Sequence, residues 1–139
     1  MKTLLVIDDE ASVRDAFVLA LHDSGVRVEG VANGEAGIAA ARERRPDLVM
    51  LDLRMPGIDG VTTLRRLLAD DPTLRISILT AFHAEYMTPL RVAAAEGLRF
   101  DLVHKPLDGE QIRAIVEGWL GCGDARRPHP EPPERREQL

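Results

Sequence analysis

Two kinds of stretch alternate along this chain. Short runs are apolar at nearly every position, and between them lie longer segments whose apolar side chains recur every three or four residues. The first spacing belongs to a strand covered on both faces, the second to an amphipathic helix. Residues 3–8 (Thr-Leu-Leu-Val-Ile-Asp) form the first such run. A helix follows, with Val13, Ala16, Phe17, Ala20 and Leu21 on one stripe, closing at Gly25. Val26 to Ala32 is a short, partly alternating strand. Asn33 is a good helix cap, and the Ala-rich 34–44 carries the second helix up to Pro46. The third run, Leu48 to Leu53, is bounded by Pro46 before it and by Pro56 and Gly57 after it. Val61, Leu64 and Leu68 mark a third helix ending near Asp71 and Pro72, and Leu74 to Thr80 is a fourth strand. Thr88-Pro89 reads as a cap with proline at the first helical position, so the fourth helix is predicted from 89 to Gly97. That leaves Ala81 to Met87 as a rather long loop. Arg99 to Val103 is a weaker fifth strand. The last helix opens with Asp108 and Gln111 in a capping-box arrangement and carries Ile112, Ile115, Val116, Trp119 and Leu120 on one stripe. Trp119 is read as a core or interface filler rather than a ligand platform.

Five strands alternating with five helices predict an α/β domain, a parallel sheet covered on both faces. Ligands of such sheets bind outside the carboxyl ends of the strands, where the strand order reverses. The 139 residues suffice for one domain, and 45% apolar with 29% charged residues is an ordinary soluble composition. The pattern stops at Gly121. Four of the nine prolines (Pro128, Pro130, Pro132, Pro133) lie beyond it, among arginines and glutamates that cancel. The expected division is therefore a domain over 1–120 and a disordered, partly extended tail over 121–139. The amino terminus lacks a signal-peptide core, and no apolar run approaches membrane-spanning length. A single cysteine, Cys122, allows no internal disulfide and fits a reducing cytoplasm. The net charge of −5 argues against a large nucleic-acid footprint. Neither nucleic acid nor membrane is expected as a direct partner.

The polar exceptions to the apolar pattern fall at the ends of the runs. The first run delivers Asp8 and Asp9, the third Asp52, the fourth Thr80 and the fifth Lys105. Each alone is unremarkable, and an Asp there could merely cap a turn. Together they bring three acids, a hydroxyl and an ammonium to one edge of the sheet. Two carboxylates about 5 Å apart repel by roughly 3 kcal/mol at an effective dielectric of about 20. Such a cluster keeps a proton or recruits a cation. With oxygen ligands only, the expected metal is hard and divalent, Mg²⁺ or Mn²⁺. Metal, cationic clamp and hydrogen-bond donor are what phosphoryl transfer requires, and Asp52, central among them, is the candidate nucleophile for an aspartyl phosphate.

With these residues assembled, the chain resembles the receiver domain of two-component response regulators. The matching pieces are Val6-Ile7-Asp8-Asp9-Glu10, the run from Asp47 through Asp52 to Gly60, Ile78-Leu79-Thr80-Ala81, and His104-Lys105-Pro106-Leu107. The resemblance implies a flavodoxin-like (βα)5 fold, three layers, with sheet order 2-1-3-4-5. It implies that Asp52 accepts a phosphoryl group from a sensor histidine kinase or a histidine phosphotransfer protein in a bacterial cytoplasm. Asp9, Asp52 and the backbone carbonyl of Arg54 would hold Mg²⁺, with Asp8 acting through a bound water. Thr80 and the Ala81 amide would contact phosphoryl oxygens, Lys105 would pair with the phosphate, and the Lys105–Pro106 peptide would be cis. The domain would be a signalling switch rather than an enzyme. Its output would be partner docking, dimerisation or phosphorelay, through the loop after the fourth strand and the face of the last two helices.

Three departures qualify the match. Where the family carries an aromatic switch residue, three before the lysine, this chain has Leu102, with Phe100 on the same face. The interval from Thr80 to Lys105 is a few residues longer than expected, around 82–87. Arg54 lies two residues after Asp52, close to any attacking water. Two rival readings accompany the first. One is an Mg²⁺-dependent phosphohydrolase, against which Arg54 occupies the place where haloacid-dehalogenase-like enzymes need a second acid. The other is a degenerate receiver that binds partners without phosphorylation.

Overall fold

A computed structural model of the chain describes residues 2–54, 57–81, 87–105 and 108–120. Strands and helices alternate through β1 (Lys2–Ile7), α1 (Ala11–Ala20), β2 (Val26–Val31), α2 (Gly34–Arg44) and β3 (Leu48–Asp52). They continue as α3 (Gly60–Asp70), β4 (Ile76–Thr80), α4 (Met87–Ala95), β5 (Asp101–His104) and α5 (Gly109–Leu120). The strands form one sheet in the order β2-β1-β3-β4-β5, every pairing parallel. The strand order therefore reverses beside β1, which pairs with β2 on one side and β3 on the other.

Alternation along each strand sorts the core into two layers. Leu5, Ile7, Val49, Leu51, Ile76 and Ile78 point to the side covered by α2, α3 and α4, where they meet Ile38, Leu64, Leu67 and Leu90. Leu4, Val6, Leu48, Met50 and Leu79 point to the other side, against Phe17 and Leu21 after α1 and Ile112 and Val116 of α5. Every residue of β3 and β4 is buried, as the unbroken apolar runs require. Partly buried Trp119 packs on the α1–α5 layer, and Phe100 and Leu102 on the opposite one.

The helix starts follow the expected chemistry at two places. Asn33 accepts from the Ala36 N–H at 2.8 Å. Asp108 and Gln111 bond reciprocally, at 2.8 and 2.9 Å, as a capping box. Elsewhere the boundaries shift. Helix α4 begins at Met87 rather than 89, so Thr88 and Pro89 sit in its first turn. Proline is tolerated there because the first N–H groups of a helix have no intrahelical partner to lose. Helix α1 ends at Ala20 rather than near Gly25, and the chain turns through Leu21–Gly25, with Gly25 at φ 81°. Strand β4 starts at Ile76 and β5 runs from Asp101 to His104, since the residues before them are held in turns or outside the ladder. The Lys105–Pro106 peptide, the segment 82–86 and the tail from 121 lie outside the described residues.

Candidate functional site

The acids at the switch point are placed by the same alternation that builds the core. Asp8 follows Leu4 and Val6, Asp52 follows Leu48 and Met50, and Lys105 follows Val103; all eight positions share the α1–α5 side of the sheet. Parallel register brings these carboxyl ends level, and Lys105 is tied there because its N–H donates to the Thr80 carbonyl at 2.8 Å. Its ammonium consequently lies 3.0 Å from Asp8 Oδ2, 3.3 Å from Asp52 Oδ1 and 3.6 Å from Glu10 Oε1. Asp8 is fully buried and Asp52 is only 5% exposed. The Asp8 N–H donates to the Val31 carbonyl, its Oδ1 accepts from the Glu10 N–H at 3.0 Å, and its carbonyl accepts from an Arg14 guanidinium N–H at 2.8 Å.

One carboxylate oxygen each from Asp8, Asp9 and Asp52 lies within 4.8 Å of the other two. Above them opens a cleft of about 420 Å³ lined by Asp9, Asp52, Arg54, Thr80, Ala81 and Lys105, with Glu10 at its edge. Burial pushes the Asp52 carboxyl up to about 6, with the neighbouring Asp8 charge adding to the rise; Lys105 and the Arg54 backbone N–H only partly offset them. Burial acts to lower the Lys105 ammonium, yet hydrogen bonding and attraction from Asp8 and Asp52 outweigh it and leave its pKa above the ordinary value. The Lys105 ammonium reaches Asp8, Asp52 and Glu10, and with Asp9 beside them carboxylates outnumber cationic side chains around the cleft. The donor set is oxygen only, and its span fits one small divalent ion in reach of all three acids.

Of the residues singled out from sequence, Asp8, Asp9, Asp52, Arg54, Thr80, Ala81 and Lys105 converge at this one place. Leu102 does not. It pairs with Ile78 in register and packs on the α2–α4 side, together with Phe100, while Thr80 occupies that side at the end of β4. Glu10 and Arg14 join the site without any role assigned to them by the sequence pattern. The signal available was slight: Glu10 adjoins the acid pair and Arg14 follows it by one helical turn.

The fold is flavodoxin-like, a doubly wound sheet with its acids at the reversal of strand order. The model of the response regulator receiver domain matches residues 4–117, so the chain belongs to that family. The transcriptional regulatory protein AfsQ1 of Streptomyces coelicolor is 38% identical over 124 residues, covering 89% of this chain and 53% of that protein. The chain thus spans about half the length of the curated relatives it matches. A CheY-like receiver from Methanospirillum hungatei superposes with a TM-score of 0.75 at 19% identity, over 85% of this chain and 92% of that one, which speaks for the fold alone. The response regulator TrrA of Thermotoga maritima, solved in complex with Mg²⁺ and BeF, gives 0.70 at 27% identity over 85% of this chain and 98% of that one. Among the described residues no helix is long and apolar enough to cross a membrane.

Proposed function

We propose that residues 1–120 act as a phosphorylation-controlled switch whose phosphoacceptor is Asp52, with 121–139 a compositionally distinct tail. The observation that carries this reading is the meeting of Asp8, Asp9 and Asp52 with Lys105 in one cleft at the strand ends. Asp9, Asp52 and the Arg54 carbonyl would hold Mg²⁺ (or Mn²⁺), with Asp8 acting on it through a bound water. The ion, when bound, neutralises carboxylate and phosphoryl oxygens alike. An Asp52 oxygen attacks the phosphorus of a phosphohistidine on a kinase or phosphotransfer protein. The new O–P bond forms as the N–P bond breaks, and the departing imidazole nitrogen keeps the electron pair and takes up a proton. Thr80 and the Ala81 N–H receive the phosphoryl oxygens, and Lys105 turns from its carboxylates to the new anion.

Phosphorylation adds charge and acceptors beside Thr80, biasing the segment after β4 and the face of α4 and α5. The output is docking of a partner or a second copy of the chain. This is a phosphoacceptor role, with transfer and hydrolysis of the acyl phosphate assisted only by the domain's own residues. A small phosphodonor with Mg²⁺, followed by intact mass, tests the assignment. The expected result is a single phosphoryl adduct on wild type that is absent from Asp52→Asn; an adduct of equal yield on both overturns it. Turnover of the donor into many equivalents of free phosphate would favour the phosphohydrolase instead.

A further inference from the structure

We propose that Arg14, seated over Gly30, is a positioning residue for the divalent-cation site, fixing the peptide plane between Asp8 and Asp9 and so aiming the Asp9 carboxylate. The proposal rests on the reading that this cluster holds magnesium. Asp9 is exposed and lies beyond the last paired residue of β1, so no ladder hydrogen bond sets its direction. Its two flanking peptide planes do. The plane after it is fixed by the Glu10 N–H donating to Asp8 Oδ1 at 3.0 Å. The plane before it carries the Asp8 carbonyl, and there the partner is the Arg14 guanidinium at 2.8 Å.

Arg14 starts its reach from the first turn of α1, where its own N–H donates to the Glu10 carbonyl at 3.3 Å. To arrive at Asp8 its aliphatic stem passes over the end of β2 at Gly30. A Cβ placed on Gly30 would lie 3.0 Å from Arg14 Cδ and 3.3 Å from Arg14 Cβ, closer than the stem tolerates without moving. Glycine otherwise weakens a strand, so its presence on the α1 side of β2 is accounted for by this crossing. The two residues, sixteen apart in sequence, form one device.

Electrostatics makes the proposal separable from a mere charge effect. Removing a cation beside a site for a divalent ion should tighten binding if Coulomb attraction alone mattered. Loss of aim in a metal ligand does the reverse, commonly by about tenfold for a supporting hydrogen bond around a metal. The test is an Mg²⁺ titration of the whole chain, read from the backbone amide NMR shifts of residues 8–10 and 52–53. Arg14→Met is expected to weaken Mg²⁺ binding about tenfold, and Gly30→Ala several-fold. The double variant should bind no more weakly than Arg14→Met alone, because both changes break the same link. Arg14→Lys, which retains a cationic donor, should recover part of the loss. Unchanged or tighter binding in Arg14→Met, or effects that add in the double variant, would overturn the proposal. Wild-type protein whose amides ignore Mg²⁺ would instead overturn the metal-dependent switch itself.

Discussion

Among the described residues, Asp52 carries a clear electrostatic tension. Its folded pKa of about 6 stands above the ordinary value of 3.8, so the folded state holds a proton that the unfolded chain has already released between those two values. Stability from this group is therefore complete below pH 3.8 and is lost as the pH rises through about 6. About two pK units correspond to at most about 3 kcal/mol. In metal-free solution at pH 7.5, Asp52→Asn is expected to be more stable than wild type by on the order of 2 kcal/mol, since the amide mimics the protonated acid and leaves Lys105 with Asp8 and Glu10. Urea unfolding at pH 7.5 and at pH 4 checks this; the advantage should shrink at the lower pH. Arg54 belongs to the same scale. It is exposed on the wall of the cleft two residues after Asp52, so its bulk and charge are expected to limit the approach of water. Arg54→Ala should hydrolyse its acyl phosphate several-fold faster, measured by loss of the adduct mass with time, and equal rates would remove Arg54 from the account.

At the scale of the element, the site depends on how closely α3 approaches the end of β3. The Gly60 N–H donates to the Leu53 carbonyl at 3.0 Å, and a Cβ on Gly60 would stand 2.5 Å from Leu53 Cα and 2.6 Å from the Asp52 carbonyl oxygen. These are backbone atoms that cannot step aside. Gly60→Ala is expected to cost about 2–3 kcal/mol of stability and to weaken Mg²⁺ binding with it, as urea unfolding and the amide titration would show. Much of this layer could be foreseen. Uninterrupted apolar runs announce buried parallel strands, and period-two alternation then places Asp8, Asp52 and Lys105 on one side and Thr80 with Leu102 on the other. What alternation cannot supply is the path of a side chain after its strand ends. That is why the contact of Glu10 with Lys105 and the reach of Arg14 across Gly30 emerge only in three dimensions. Helix α4 starts two residues before the position Pro89 suggests for a related reason: proline is compatible with any position in a first turn, so it cannot mark one.

For the whole molecule, the consequence is that folding and the proposed metal site share one acidic pole. The strand ends keep Asp8 and Asp52 almost wholly out of contact with solvent, and the burial that raises the Asp52 carboxyl also suits the cluster to a cation. A ligand that binds only the folded state stabilises it by RT ln(1 + [L]/Kd), about 2.7 kcal/mol at a hundredfold excess over Kd. For a domain of this size that is a rise in melting temperature on the order of 8 °C. Wild type should thus melt higher in saturating Mg²⁺ than in EDTA at pH 7.5, and the gap should narrow toward pH 5 as a proton competes for Asp52. Asp52→Asn should begin higher in EDTA and gain much less from Mg²⁺, so the two melting curves converge or cross as metal is added. Differential scanning calorimetry on both proteins across that pH range decides it. Parallel gains in the two proteins would mean that the stabilising ion sits away from Asp52, and the electrostatic coupling between fold and site would have to be abandoned.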